Sequence, residues 1–353
     1  MNIAQVCHVW ESVPPKQYGG TERVVSYLTE ELVRLGHHVT LFASGDSTTM
    51  AHLEAVCPTA IRFSPGILAR DASMALLLEK AFGSPDRFDV IHSHLDFLAF
   101  PLIRRCRFPV VTTLHGRLDL PELQSVYAEF KECPLVSISY SQRRPCVRSR
   151  WHANVYHGLP PDQYRFHSQP GRYLAFIGRL SPEKRPDEAI RIAERVGVPL
   201  RIAAKIDPAD REYVRDVMVP LLSHPLVEYV GEISDAEKDA FFGDASAVLC
   251  PYRPEPFGLV LIEALACGTP VITYDHGSFP EIIDHGRTGF LCQDAEDMAN
   301  AVRQIHTINR RACRAAFEQR FTVQRMTERY LEVYEGMQQE MRGTAHRVSN
   351  ARS

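Results

Sequence analysis

The 353 residues are 45% hydrophobic and 24% charged, enough apolar chain for a folded core and for about two domains of roughly 150 residues each. Lys+Arg 40 against Asp+Glu 43 leave a formal charge of -3, which excludes a global field suited to nucleic acid while leaving local basic patches open. Nine scattered cysteines without a CxxC pair argue against a disulfide framework or a zinc ribbon and for a reducing cytoplasm. No basic stretch followed by an apolar core opens the chain, and no run of about eighteen apolar residues suggests a membrane span.

In chain order, residues 1–9 read as a first strand. A long loop from Glu11 ends in Gly19-Gly20, and a helix capped by Thr21 runs through Leu35 to a stop at Gly36. Val24, Val25, Leu28, Leu32 and Leu35 supply its apolar face, and Val39–Ala43 follows as a strand, completing a βαβ unit. The paired glycines either let backbone approach a ligand at the helix start or form a plain turn; they lack GxGxxG spacing. Further strands, residues 90–94 and 110–115, each end in a histidine, His94 and His115, at a strand-to-loop handover. His92 and His94 share one side of a strand, yet no acidic cluster with ligand spacing accompanies them, and no metal is expected. His115 is either a ligand-facing group or a hydrogen-bonded strand end. The segment Gln142–Trp151 is the most basic; it meets an anionic acceptor or a bilayer surface, or is a solvated face. From His157 to Gly171 turn formers dominate, which places the domain linker there.

The second half opens with a buried strand at residues 173–178, then a loop carrying Arg179 and Lys184, then a helix whose apolar face is Ala189, Ile190, Ile192, Ala193 and Val196. Cations on a loop after a parallel strand are placed to meet phosphate: Arg offers a planar fork and Lys a mobile charge, so the pair suits a diphosphate without a metal. The alternative is a solvated basic loop. A strand at 200–204 delivers Lys205 to the same rim, and a strand at 227–233 brings Glu232 and Ile233.

Next come a buried strand at 247–250, Glu255 in a loop, a helix from near Gly258 to Cys267, Gly268 as a left-handed cap, and a strand at 271–274. The helix start, with free amides and the positive end of its dipole, is a ready anion site. Glu255 lies before it and Glu263 one turn inside, so the two bracket that site; alternatively Glu255 complements the dipole and Glu263 is the wet face of an apolar helix. Met298, Ala301, Val302 and Ile305 make one late amphipathic helix and Met326, Tyr330, Val333 and Tyr334 another. Residues 342–353 lack periodicity and are expected to be a disordered tail.

These residues resemble the retaining nucleotide-sugar glycosyltransferases of family 4, with the two-domain GT-B fold. The resemblance rests on Gly19-Gly20-Thr21-Glu22, Gly178-Arg179 with Lys184, the Glu255…Glu263 pair and the Gly268-Thr269-Pro270-Val271 close, and it covers nearly the whole chain. It implies an α/β architecture of two Rossmann-like, doubly wound domains facing a cleft. Residues 1–157 form the acceptor-side domain, with a helix at about 324–341 crossing back onto it, and 158–323 the nucleotide-sugar domain. It further implies that Arg179 and Lys184 hold the donor diphosphate, that Glu263 binds the ribose, and that Glu255 and the backbone of Phe257, Gly258, Leu259 and Val260 meet the sugar. His115 lines the sugar pocket. The donor set is completed by Gly19, Gly20, Gly178, Lys205, Glu232 and Ile233, and the acceptor side by Tyr18, His94 and His115. Catalysis is assigned to His115, Arg179, Lys184 and Glu255. Family members often have Asn-Gly where this chain has His157-Gly158, a departure read as structural, and a Gly-rich strand end where it has Ala203-Ala204-Lys205.

The expected activity is metal-independent hexosyl transfer, UDP-glucose being the first choice of donor, to a small-molecule, glycan or lipid-linked acceptor, with no cofactor, no nucleic acid and at most peripheral membrane contact. A sugar phosphorylase and a non-catalytic sugar-nucleotide-binding protein are the alternatives. An NAD-dependent oxidoreductase would want the missing GxGxxG.

Overall fold

The computed structural model describes the chain apart from residues 17–18, 63–68 and 351–353, with backbone alone described at 70 and 343–350. Tyr18 thus lies outside the described residues. The chain divides into two compact units, Met1–Gly158 with Val323–Ser353, and Leu159–Thr322.

In the first unit the strands are β1 (Asn2–Val6), β2 (His38–Ala43), β3 (His52–Ala55), β4 (Val90–Ser93), β5 (Val110–Thr113), β6 (Leu135–Ser137) and β7 (Trp151–Asn154). They form one parallel sheet in the order β3-β2-β1-β4-β5-β6-β7. The chain starts in the middle, winds outward one way and then the other, and the order reverses between β1 and β4. Ile3, Ala4 and Val6 are fully buried, as expected of a strand covered on both faces; Gln5 between them is a buried polar exception. β4 and β5 stop at Ser93 and Thr113, so His94 and His115 stand just past the strand ends.

The first helix spans Gly20–Arg34 with Gly19 at its N-cap and no side-chain cap. The Thr21 cap expected from the sequence is therefore displaced: Thr21 is already inside the helix, and the N-cap residue Gly19 has no side chain to take its place. Gly19 is needed for space, since a Cβ there would lie 2.7 Å from Pro15 Cβ and 2.9 Å from Glu22 Oε2. Val24, Val25, Leu28 and Leu32 are buried as the spacing predicts, whereas Leu35, past the helix end, is 45% exposed. The last helix, Val323–Asn350, buries Met326, Tyr330, Val333 and Tyr334 and packs on the first helix, β4 and β5. It continues through 342–350, contrary to the disordered tail expected there. Apolar periodicity is missing from the sequence there, but once a helix is anchored each further turn propagates without a new nucleation cost.

The second unit repeats the plan with β8 (Tyr173–Arg179), β9 (Leu200–Lys205), β10 (Val227–Gly231), β11 (Ala245–Cys250), β12 (Val271–Tyr274) and β13 (Gly289–Cys292). The parallel order is β10-β9-β8-β11-β12-β13, so its reversal falls between β8 and β11. The helix Leu259–Cys267 is buried from Leu261 to Cys267, which explains its apolarity all round. Glycine bounds it at both ends: Gly258 has φ 122° and Gly268 φ 81°. A Cβ on Gly268 would also sit 2.7 Å from the Phe166 ring. Thr269 then donates from Oγ1 to the Phe242 carbonyl at 2.7 Å and accepts from buried Arg310 at 2.6 Å. Among the helices of this unit that escaped the sequence reading, the longest are Asp235–Gly243, opened by a Ser234–Glu237 capping box, and Arg310–Arg320.

Candidate active site

In an open parallel sheet the crevice for a ligand lies beyond the carboxyl ends of the strands where their order reverses. In the second unit those strands are β8 and β11, and the loops leaving them carry Arg179–Lys184 and Tyr252–Gly258. Lys184 Nζ pairs with Glu255 Oε1 and lies 4.4 Å from the centroid of the Tyr252 ring. Tyr252 is fully buried and its hydroxyl donates to the Ile177 carbonyl, tying its loop to β8. Burial pushes that hydroxyl's pKa well up, and the Cys250 thiol beneath it up to about 12, so both stay neutral. Ser278 fixes the Glu255 loop from below, its hydroxyl reaching the carbonyl of Glu255 at 3.0 Å and that of Phe257.

Arg179 faces Asp210 at 3.4 Å and Glu183 at 3.1 Å, while its Nε is buried without a partner among the described residues. Lys205 lies beside Arg179 in register across β8 and β9. The basic rim expected from the sequence is therefore an ionic network in which Glu183, Asp210 and Glu255 face the cations.

Glu263 is 3% exposed, which removes the wet-face reading. Tyr164 donates to its Oε1 at 3.0 Å and Lys238 at 2.9 Å, and Lys238 is held in turn by Asp235 at 3.2 Å. Phe257 and Gly258 are buried, Leu259 and Val260 half-buried at the helix start. The first-turn amides there have no carbonyl four residues back within the helix. Glu232 and Ile233 follow β10, which β9 separates from β8, so in strand order they stand farthest from the reversal. Tyr252, Ser278, Tyr164 and Lys238 were missed by the sequence reading; Tyr252 alone had a local signal, an aromatic placed at the end of a buried strand.

In the first unit the reversal lies between β1 and β4, and residues following β4 and β5 meet there. His94 Nε2 bonds Gln5 Oε1 at 2.8 Å and its Nδ1 bonds His115 Nε2 at 2.9 Å. His157 stacks on His115, centroids 5.4 Å apart and planes 17° apart, so the departure at His157-Gly158 touches a predicted site residue. Burial lowers His157 and His92 to about 3 and holds His94 and His115 well below the usual histidine range. His92 is bonded to Tyr334 and Thr113, which accounts for both of its nitrogens. Among the described residues no group of three or more His, Cys, Asp or Glu is arranged to hold a metal ion. The basic segment is partly structural: Arg143 bonds Ser137 Oγ at 2.6 Å and lies over the Tyr140 and Trp151 rings at 5.1 and 5.2 Å. Tyr140 and Val147 beside it are exposed.

The family model described as "Glycosyltransferase Family 4" matches residues 18–175, and that described as "Glycosyl transferases group 1" matches residues 164–320. An uncharacterized glycosyltransferase of Methanocaldococcus jannaschii is 29% identical over 82% of this chain and 84% of its own length. A D-inositol 3-phosphate glycosyltransferase of Saccharomonospora viridis is 26% identical over 95% of this chain and 93% of its own. In fold the chain is similar to Anabaena HepE, crystallised with UDP-glucose, at TM-score 0.72 and 18% identity over 95% of this chain and 100% of that one. With two parallel-sheet units wound alike and family models spanning nearly all of both, the chain belongs to the family 4-like glycosyltransferases of the GT-B fold.

Proposed function

We propose that the protein is a retaining hexosyltransferase that moves a sugar, with glucose the first candidate, from a UDP donor to an acceptor hydroxyl without a metal. The observation that carries this reading is the Lys184–Glu255 pair seated on Tyr252, beside Arg179, at the reversal of the second sheet. A diphosphate arriving there competes for Lys184 and meets the first-turn amides of the helix Leu259–Cys267. Glu255, released from Lys184, turns its acceptor oxygens to the sugar hydroxyls, and Glu263 meets the ribose. When the bond from the sugar's anomeric carbon to the β-phosphate oxygen breaks, its electron pair stays on that oxygen, where preorganised positive charge stabilises it. The acceptor oxygen bonds the anomeric carbon from the same face and its proton passes to the departing phosphate. No carboxylate is needed as a covalent nucleophile. The UDP and UDP-glucose named with HepE support the choice of nucleotide.

No described helix is long and apolar enough to cross a membrane, and we place membrane contact at peripheral at most and the enzyme in the cytoplasm. The test is a thermal-shift screen of UDP, UDP-sugars and inorganic phosphate, followed by UDP release from any stabilising sugar nucleotide. Stabilisation by UDP-glucose with slow release of UDP is expected. Stabilisation by phosphate alone would favour a phosphorylase, and tight binding with no release a non-catalytic protein.

A further inference from the structure

Gln5 is the polar residue of an otherwise apolar central strand; it is fully buried and stands opposite His92 in the β1–β4 register. Its amide has two partners, His94 Nε2 on Oε1 at 2.8 Å and Tyr334 on Nε2 at 3.0 Å. From these the protons of the whole cluster follow. Because Oε1 only accepts, His94 must carry its proton on Nε2 and present a lone pair at Nδ1. The 2.9 Å bond from His94 Nδ1 to His115 Nε2 then requires the His115 proton on Nε2. His115 Nδ1 is left as an acceptor, buried and without a partner among the described residues. On the other side the Tyr334 hydroxyl, accepting from Gln5, donates to His92 Nδ1 at 2.8 Å, and His92 Nε2 donates to Thr113 Oγ1 at 2.7 Å.

Turning the Gln5 amide over would reverse every one of these bonds and leave His115 with a buried N–H and no acceptor. Orphaned N–H groups are rarer in folded proteins than under-satisfied acceptors, so the order described is the stable one. Relaying a tautomer in this way needs neutral rings, and burial keeps His92, His94 and His115 neutral near pH 7.

We propose that Gln5 is a positioning residue: its amide, acting through His94, holds the His115 proton on Nε2 so that Nδ1 accepts a hydrogen bond from a hydroxyl of the transferred sugar. The final clause rests on the donor reading above; the tautomer does not. Histidine labelled with 13C and 15N reports the tautomer directly, the His115 signal being the one lost in His115→Gln. In the parent protein His115 should carry its proton on Nε2. In Gln5→Met, which keeps length but cannot orient His94, His115 should show both tautomers. The value of kcat/KM for the sugar nucleotide should fall in proportion to the Nε2-protonated fraction that is lost, about twofold for an even mixture and up to about tenfold if that tautomer is nearly emptied, while UDP affinity is unchanged. Should that variant fail to fold, Tyr334→Phe removes the acceptor of the Gln5 Nε2 group, frees the amide to turn, and should give the same mixture. A parent His115 protonated on Nδ1, an unaltered tautomer in the variants, or mixed tautomers with unaltered kcat/KM would overturn the proposal. Absence of any UDP binding would sink the donor reading instead, with the tautomer still deciding the role of Gln5.

Discussion

Glu263→Gln separates the proposed ribose contact from the scaffolding that surrounds it. The carboxylate is buried and takes both a Tyr164 and a Lys238 bond on Oε1. Glutamine keeps an acceptor oxygen there, and Lys238 retains Asp235 at 3.2 Å. Two bonds therefore change from charged to neutral acceptors, a loss of about 1 kcal/mol each at most. The fold should survive with a modest drop in stability. A ribose bond to a charged group is worth roughly 1.5–3 kcal/mol, so UDP affinity should fall by about ten- to a hundredfold. Glu263→Ala should be worse on both counts, since it strands a buried hydroxyl and a partly buried ammonium at a further cost of about 3 kcal/mol or more. Titration calorimetry with UDP, set beside chemical denaturation, reads the two effects apart. Parental affinity in both variants would refute the ribose assignment and leave Glu263 a structural residue.

Acid should destabilise the first unit. His92 and His157 fall from 6.5 to about 3 on folding, so the unfolded chain binds more protons below pH 6.5. Stability is full above that pH and is lost by about 1.4 kcal/mol per pH unit per histidine on the way down to pH 3. Urea midpoints at pH 7.5 and 5.5 check this, and an unchanged midpoint would contradict it. Gly268→Ala should cost about 2–5 kcal/mol, combining a left-handed backbone with a Cβ driven into Phe166. A loss under about 1 kcal/mol in denaturant unfolding would show that the cap relaxes.

What could be read from the sequence was what is local. The bounds of the helix Leu259–Cys267 follow from Gly258, Gly268 and Pro270, because a backbone conformation and a missing N–H act on their own neighbours. Arg179 and Lys184 could be placed on a loop after a strand for the same reason. What answers each charge is not local: Asp210 lies 31 residues from Arg179, Glu255 71 from Lys184, and Tyr164 99 from Glu263. Only the strand order brings these together, and strand order is written in no single segment. Gln5 and Tyr334, 329 residues apart, are the extreme case. The short edge strand β3, half-buried or exposed throughout, offers no apolar run to detect. Residues 342–350 misled because absence of apolar periodicity was taken for absence of helix.

The central claim is that protein cations and amides, rather than a metal, stabilise the departing diphosphate. The chain has no DxD motif, and we assign that work to Lys184, which lies over the Tyr252 ring. The measurement is UDP release from UDP-glucose, or from whichever sugar nucleotide stabilises the protein most, in excess EDTA, for the parent and for Lys184→Ala. Parent turnover should be unaffected by the chelator, and Lys184→Ala should be slower by at least about a hundredfold, as expected for removal of one preorganised charge-stabilising group. Turnover abolished by EDTA and restored by magnesium or manganese, or a Lys184→Ala enzyme with near-parental rate, would contradict the account.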